Sequence, residues 1–355
     1  MIPVSTLPSS NHTCAASASG SRASTHAFAH GRLRVTRAKL RIEGSRLRSL
    51  VNGKSYDIGN LELVSLQTLR QRVSSARAIP GRLKVSLVTG NVRDLHRSSE
   101  NAGALFQVAS QFNLLEMTGP GVTPEQGVTR YQYDHTQGPA CAIAAGAATI
   151  YRNYFAPIGG QEGQTRDRQL DGLADLGEAL SQSLNLSVRA LWDMCNGYAL
   201  CSAPGLDAIA THLATLQPGQ LDVLRGQLRI GIHSDVAVTD AERGPLPLVS
   251  QAFCSALPVA YTLVPSARWQ PFASLVLEAA YEASMLAAIL NRKRGATNIV
   301  FLTLLGGGAF GNEAAWIRAA IRRALKMVAG CELDVRIVSY GDPPPAIEQI
   351  AWEFG

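Results

Sequence analysis

The chain has 355 residues, 46% of them hydrophobic, which is enough for a large buried core. No run approaches 18 uninterrupted apolar residues, so we expect no membrane span. Of the 33 basic residues, six lie in residues 1–42, where there is no acid, and the remaining 27 are matched by 27 acidic residues, so the charge gives no indication of nucleic-acid binding.

Residues 1–42 form a predicted leader that is rich in Ser, Ala and Thr and carries scattered arginines. This composition is typical of an organelle transit peptide and equally of a disordered tail without an address. We expect an intracellular protein, in the cytoplasm or, if the leader is a transit peptide, in a plastid or mitochondrion. Residues 43–355 are expected to form one folded domain.

The six cysteines are dispersed, with no C-x-x-C pair and no Cys/His cluster at the spacing of a zinc site. This usage is typical of free thiols in a reducing compartment. We expect no metal and no cofactor.

Apolar runs of strand and helix length alternate along the chain. The predicted strands are Arg46–Val51, Leu61–Val64, Lys84–Gly90, Leu228–Thr239, Val249–Tyr261, Asn298–Leu305 and Glu332–Ser339. The predicted helices are Asn101–Phe112, Ala140–Tyr154, Arg168–Leu180, Leu206–Leu216, Phe272–Leu290 and Glu313–Val328. This order predicts an α/β fold with a mixed, mostly parallel sheet, covered on both faces, and a ligand site beyond the carboxyl ends of the strands.

The strongest local motif lies within residues 299–325, where a buried strand leads into three consecutive glycines (306–308) and then an amphipathic helix. Glycines at such a turn let the backbone approach a ligand and point its N–H groups at phosphate. The alternative is a tight turn against a neighbouring strand. The spacing matches neither G-x-x-x-x-G-K-[ST] nor G-x-G-x-x-G.

A second loop of small residues, 138–146, opens an Ala-rich helix. Small side chains permit close contact with a ligand and would equally suit tight helix packing. Tyr133 and Asp134 precede this loop, and they either reach the ligand or are ordinary surface residues.

Four segments resemble, in order, motifs of the macrodomain superfamily. Leu87–His96 (LVTGNVRDLH) is similar to the strand that ends in G-D-I-T, with Asn91 where the family has Asp. Phe106–Asn113 (FQVASQFN) is similar to the V-N-A-A-N segment, residues 138–147 (GPACAIAAGA) to the first glycine loop, and residues 304–312 (LLGGGAFGN) to the second. The second loop is nearest to the poly(ADP-ribose) glycohydrolase-like branch and to arginine-specific ADP-ribosylhydrolases.

The resemblance implies a macrodomain-like three-layer α/β/α fold with an inserted helical segment, 165–248, and ADP-ribose or an ADP-ribosylated protein as the partner. It places Asn91 near adenine, with the adjacent Val92 as a further ligand contact, Asn113 at the distal ribose, and Phe310 near the ribose. The remaining ligand contacts that it implies are in the two loops: Gly138, Ala140, Cys141, Gly306, Gly307, Gly308, Ala309, Gly311 and Asn312.

Cleavage at the ribose anomeric carbon passes through an oxocarbenium-like state and requires carboxyl groups. Asp167, Asp171 and Asp175 are spaced i, i+4, i+8 and are predicted to share one helix face. Repeated like charges at this spacing suggest a site, whereas Arg166 and Arg168 suggest a solvated face.

His233 and Asp235 are two apart on a predicted strand and are expected to face the same side. If that side is the cleft, Asp235 is a further catalytic candidate. The alternative is that the pair marks the edge of the sheet, and a structural His–Asp pair is the commoner outcome.

Three functions remain open. The first is a hydrolase that removes ADP-ribose from modified protein side chains, with arginine as a plausible linkage from the resemblance alone. The second is a non-catalytic ADP-ribose reader, and the third is an enzyme that acts on a free ADP-ribose-type nucleotide.

Overall fold

The computed structural model describes Ser9–Ser10 and residues 35–76, 80–134, 136–241 and 245–355. Most of the predicted leader lies outside these residues. The short strand β1 (Ser9–Ser10) pairs with β10 (Gln169–Leu170), and β2 (Leu40–Glu43) begins inside the last part of the predicted leader.

The central sheet has seven strands in the order β5-β13-β14-β7-β15-β16-β6. These strands are Asn60–Ser65 (β5), Lys84–Thr89 (β6), Leu105–Ala109 (β7), Arg229–Ala237 (β13), Leu248–Cys254 (β14), Ile299–Leu302 (β15) and Asp334–Ser339 (β16). From β14 to β6 all neighbours are parallel, and only β13 runs antiparallel to both of its neighbours. The predicted mixed, mostly parallel sheet is therefore confirmed.

Helices cover both faces of this sheet and make three layers. The α-helices described are Leu66–Ser75 (α1), Val92–Arg97 (α2), Gln137–Ala144 (α3), Gly146–Tyr154 (α4), Ala174–Leu184 (α5), Val188–Leu191 (α6), Ala203–Thr215 (α7), Pro218–Gly226 (α8), Ser266–Lys293 (α9), Ala314–Met327 (α10) and Pro345–Phe354 (α11). In β7, Leu105 packs into the core around α9, whereas Phe106 and Val108 pack into the opposite core around α3. This alternation shows that β7 is buried on both faces.

Smaller sheets surround the domain: β2, Arg46–Ser49 (β3) and Ser55–Asp57 (β4) form one, Pro157–Ile158 (β8) and Gln161–Glu162 (β9) another, and Trp192–Cys195 (β11) and Tyr198–Cys201 (β12) a third. In its described residues, the predicted insertion, 165–248, contains four helices and the β11–β12 hairpin. It also supplies β13 to the central sheet.

The described residues include one helix, α9, that is long and apolar enough to cross a membrane, and 83% of its apolar window is buried inside the protein. A core helix has the same properties, so this helix alone is weak evidence for a membrane span.

The prediction of a helix at Asn101–Phe112 is wrong, because β7 occupies the middle of that segment. A short run of buried apolar residues fits a strand buried on both faces as well as a buried helix. Here β14 and β15 satisfy the backbone of β7 on both sides.

The described thiols Cys141, Cys201, Cys254 and Cys331 are free. Cys195 is disulfide-bonded, so the expectation of free thiols is wrong there, and Cys14 lies outside the described residues. Within those residues, no group of three or more His, Cys, Asp or Glu side chains could hold a metal ion.

Candidate functional site

A cavity of about 350 Å³ opens at the carboxyl ends of the parallel strands, and we call it the cleft. Residues that follow four neighbouring strands line it: 109–111 at the end of β7, Ala256 beyond β14, 303–306 beyond β15 and 338–340 at the end of β16. This is the edge where open α/β sheets bind their ligands.

The second glycine loop crosses one wall of the cleft between β15 and α10. Gly306 has φ +76°, and a Cβ there would lie 2.5 Å from the Cβ of Ala256, so only glycine fits. Asn312 closes the loop, since its backbone N–H donates to the Gly306 carbonyl (2.9 Å) and its side-chain Nδ2 donates to the Leu257 carbonyl (2.8 Å).

Three successive residues of this loop, Gly308, Ala309 and Phe310, line the cleft. Their backbone N–H groups have no hydrogen-bond acceptor among the described residues. A Cβ on Gly308 would meet nothing within 4 Å, so the space beside it is open. Free N–H groups on consecutive residues are typical of an anion-binding loop.

The first loop opens α3, and Thr136, Gln137, Gly138 and Pro139 line the cleft. A Cβ on Gly138 would lie 2.2 Å from the carbonyl oxygen of Ala109 at the end of β7. This glycine therefore both permits tight packing of α3 on β7 and faces the cleft.

Glu116, which the sequence reasoning missed, places a carboxyl group in the cleft wall. Glu116 is only 2% exposed, and neither of its side-chain oxygens has a hydrogen-bond partner among the described residues. Burial raises the pKa of Glu116 to about 8; Arg152 acts in the opposite direction and Asp134 in the same one. The group is therefore protonated at neutral pH and can donate a proton.

The chain that carries Glu116 folds back after β7 in a strained turn. Leu114 has φ +63°, a left-handed conformation that is unfavourable for a leucine. Side chains hold the turn in place: the Met117 N–H donates to Gln111 Oε1 (2.7 Å) and the Glu116 N–H to the Tyr131 hydroxyl (3.0 Å). The position of the acid is thus fixed by its neighbours before any ligand binds.

Asp134 supplies a second carboxyl group to the same cleft. It is half-buried, and its Oδ1 accepts hydrogen bonds from the backbone N–H (2.9 Å) and the hydroxyl (2.7 Å) of Thr136. Glu116 and Asp134 thus form a pair of carboxyl groups of which one is buried and protonated. Glycosidic hydrolysis uses pairs of this kind.

Three aromatic rings form a cluster in the apolar lining of the cleft. The Tyr198 ring centre lies 5.1 Å from that of Tyr261 and 5.3 Å from that of Phe310. The Tyr198 hydroxyl donates to the Met117 carbonyl at 2.6 Å and so joins this cluster to the turn that carries Glu116.

The prediction that Asp167, Asp171 and Asp175 share one helix face is wrong, because α5 begins only at Ala174. Asp167 is exposed in a turn, and Asp171 accepts a hydrogen bond from the Leu173 N–H at 2.8 Å. Asp175 pairs with Arg229 at 2.7 Å. None of the three carboxylates is among the described residues that line the cleft.

The prediction that His233 and Asp235 face the same side is also wrong. A β-bulge between His233 and Val236 gives Asp235 φ +58° and breaks the alternation. His233 is fully buried, whereas Asp235 is partly exposed and pairs with Arg294 at 2.6 Å. Val236 pairs with Val249 near the start of β14, so Asp235 lies at the edge of the sheet opposite the cleft.

Of the predicted ligand contacts, Gly138, Gly306, Gly308, Ala309 and Phe310 line the cleft. The others occupy supporting positions: Asn91 caps α2, Val92 and Cys141 are buried, Ala140 lies in α3, and Gly307, Gly311 and Asn312 shape the second loop. Asn113 is buried, and its Nδ2 donates to Gln169 Oε1 at 2.7 Å. As ligand contacts, all of these residues stay predictions.

Fold and cleft together define a three-layer α/β/α protein with a cleft at the carboxyl edge of its sheet. No protein-family model and no curated protein matches the chain.

Solved structures of poly(ADP-ribose) glycohydrolases are similar to the chain. The enzyme from Deinococcus radiodurans in complex with ADP-ribose is 14% identical, with a TM-score of 0.43 over 83% of this chain and 93% of that one. The enzyme from Thermomonospora curvata is 14% identical, with a TM-score of 0.42 over 94% of this chain and 99% of that one.

Proposed function

We propose that the cleft binds ADP-ribose and that the chain hydrolyses the glycosidic bond between ADP-ribose and a modified protein side chain. The observation that carries this proposal is the buried carboxyl of Glu116, which has no hydrogen-bond partner among the described residues, in the same cleft as the backbone N–H groups of residues 308–310. The N–H groups suit a diphosphate, and the acid suits a glycosidic leaving group. The motif resemblance to macrodomains names ADP-ribose as the ligand that combines both.

In the proposed reaction, Glu116 donates its proton to the leaving atom of the protein side chain as the bond to the ribose breaks. Asp134 stabilises the positive charge that develops on the ribose and accepts a proton from the attacking water. The aromatic cluster of Tyr198, Tyr261 and Phe310 provides an apolar surface for a planar ring or a ribose.

We further propose arginine as the modified side chain. The described residues that line the cleft include the carboxyl groups of Glu116 and Asp134 and no basic side chain, so a guanidinium would meet hydrogen-bond acceptors there and no repelling charge. Peptides that carry ADP-ribose on arginine, serine or glutamate separate this preference from the general activity. Equal hydrolysis of all three would contradict the arginine proposal and leave the hydrolase proposal intact.

Binding is tested by calorimetric titration of the 355-residue chain with ADP-ribose. Gly308→Leu projects a side chain into the open space of the cleft and should abolish binding. Gly330→Leu is the matched control, because a Cβ there also meets nothing within 4 Å and the residue does not line the cleft. If the wild-type chain binds no ADP-ribose, or if Gly308→Leu binds as well as wild type, the proposed site is wrong.

Turnover is tested by release of ADP-ribose from modified peptides. Glu116→Gln should reduce kcat by about 100-fold or more, the usual contribution of a general acid, and leave ADP-ribose binding in place. Binding without release by the wild-type chain would support the reader, and hydrolysis confined to free ADP-ribose derivatives would support the nucleotide enzyme.

A further inference from the structure

Arg152 in α4 is a fully buried arginine that makes no hydrogen bond to a carboxylate among the described residues. Its Nε donates to the Leu114 carbonyl (3.2 Å), its Nη2 donates to Thr149 Oγ1 (3.1 Å), and its Nη1 lies 3.3 Å from His233 Nδ1. The guanidinium carbon lies 3.8 Å from the centre of the Phe253 ring. Each of these partners is electrically neutral.

A buried guanidinium without a bonded carboxylate is costly, because neutral partners replace only part of its hydration. Burial lowers the pKa of Arg152, and Glu116 is the foremost charge that opposes this effect. Burial and the charge of Arg152 hold the pKa of His233 well below its usual range, so this imidazole stays neutral. Glu116 is therefore the acid whose ionised form is stabilised by the charge of Arg152.

We propose that Arg152 is a positioning residue for Glu116: it holds the carbonyl of Leu114, two residues before the acid, and its charge stabilises the carboxylate that remains after proton donation. This inference rests on the proposed function. It accounts both for the buried cation bonded to the turn that carries Glu116 and for the hydrogen bond at Leu114, the residue in the left-handed conformation.

The other titratable groups near Glu116 do not supply a compensating charge. Asp134 acts against ionisation of Glu116. Burial raises the pKa of the Tyr131 hydroxyl and of the Cys141 thiol far above neutrality, so both stay protonated. Arg152 is thus the one group among the described residues that lowers the pKa of Glu116.

The test follows the ionisation of Glu116 in the unliganded 355-residue chain by carbon NMR of its carboxyl group, assigned with Glu116→Gln. Arg152→Met keeps a long side chain without its charge and should raise the titration midpoint by about one to three pH units, the range that a nearby opposite charge produces. Arg152→Lys keeps the charge and should restore most of that shift. A folded Arg152→Met chain with the wild-type midpoint would overturn the proposal.

The variant Thr149→Val distinguishes a purely structural role of Arg152 from an electrostatic one, because it removes one hydrogen bond of Arg152 and keeps its charge. We expect a lower Tm and an unchanged Glu116 midpoint, and a midpoint shifted as far as in Arg152→Met would contradict the role of the charge.

If Arg152→Met does not fold, a measurement on the wild-type chain still tests the proposal. The NMR chemical shifts of the Arg152 side-chain nitrogens should change with pH at the same midpoint as Glu116, and they should not change in Glu116→Gln. Wild-type shifts that do not change at this midpoint would overturn the proposal. None of these measurements uses ADP-ribose, so failure of the proposed function is seen separately, as absent binding or turnover.

Discussion

Glu116 and Gly138 are packed against each other: a Cβ on Gly138 would lie 3.1 Å from Cγ of Glu116. The first loop therefore packs directly against the buried side chain of Glu116. The missing side chain of Gly138 leaves room both for the acid and for the carbonyl of Ala109. The close approach of α3 to β7 and the placement of the acid thus depend on the same glycine.

Gly138→Ala should destabilise the fold and displace Glu116. The new Cβ would lie 2.2 Å from a backbone oxygen that cannot move without disturbing β7. We expect a loss of about 1–3 kcal/mol in the free energy of unfolding, as for other overpacked sites, measured by urea denaturation. Gly330→Ala, in open space, is the control, and equal stability of the two variants would contradict the packing described here.

In the second loop, Gly306 and Gly308 should respond differently to alanine. Gly306→Ala combines φ +76° with a contact of 2.5 Å to Ala256, so we expect a loss of stability. The size should be about 1–3 kcal/mol, the range for a non-glycine residue held in a strained conformation. Gly308→Ala should change the free energy of unfolding by less than about 0.5 kcal/mol. Thermal unfolding of both variants checks this, and a stable Gly306→Ala chain would show that the loop is more adaptable than its geometry indicates.

The parts of the fold that depend on local patterns could be predicted from the sequence. The apolar run of β15, the glycines after it and the amphipathic α10 follow one another within about 30 residues, and all are where the pattern predicts them. Strand β7 could not be assigned in this way, because a strand buried on both faces has no alternation that separates it from a helix.

Glu116, the buried acid of the cleft, was not predicted, and the reason is different. Glu116 follows β7 inside the apolar segment Phe112–Met117, and a lone carboxyl in such a segment was the available signal. Its importance depends on Tyr131, Arg152 and Tyr198, which are 15 to 82 residues away along the chain and are brought near Glu116 or its neighbour Met117 only by the fold. The i, i+4 spacing of the aspartates was misleading because β10 and Gly172 precede α5.

Asp235→Asn should leave activity within about twofold of wild type, because the residue lies at the edge of the sheet opposite the cleft. The loss of its ion pair with Arg294, which is partly exposed, should cost no more than about 1 kcal/mol. Release of ADP-ribose from a modified peptide measures the activity, with Glu116→Gln as the inactive reference. A loss of activity in Asp235→Asn as large as that in Glu116→Gln would indicate that the catalytic site lies at the opposite edge of the sheet.

The raised pKa of Glu116 makes both activity and stability depend on pH. The protonated acid is the active form, so kcat should fall as the pH rises through about 8. The folded chain holds this proton up to about pH 8, whereas the unfolded chain releases it near the ordinary value of about 4.3. Because the folded state binds the extra proton between these values, the free energy of unfolding should decrease as the pH rises through this window.

Each unit of pKa difference corresponds to about 1.4 kcal/mol, so we expect this group to contribute a decrease of a few kcal/mol in total. Glu116→Gln carries no titrating group and should lose this part of the pH dependence, which makes it inactive yet more stable than wild type at pH 9. Glu348→Gln, an exposed glutamate in α11, should keep the wild-type slope. Urea denaturation at pH 6 and pH 9 makes the comparison. If Glu116→Gln and wild type lose equal stability over this range, Glu116 is ionised in the folded chain, and the acid of the proposed reaction must be sought elsewhere in the cleft.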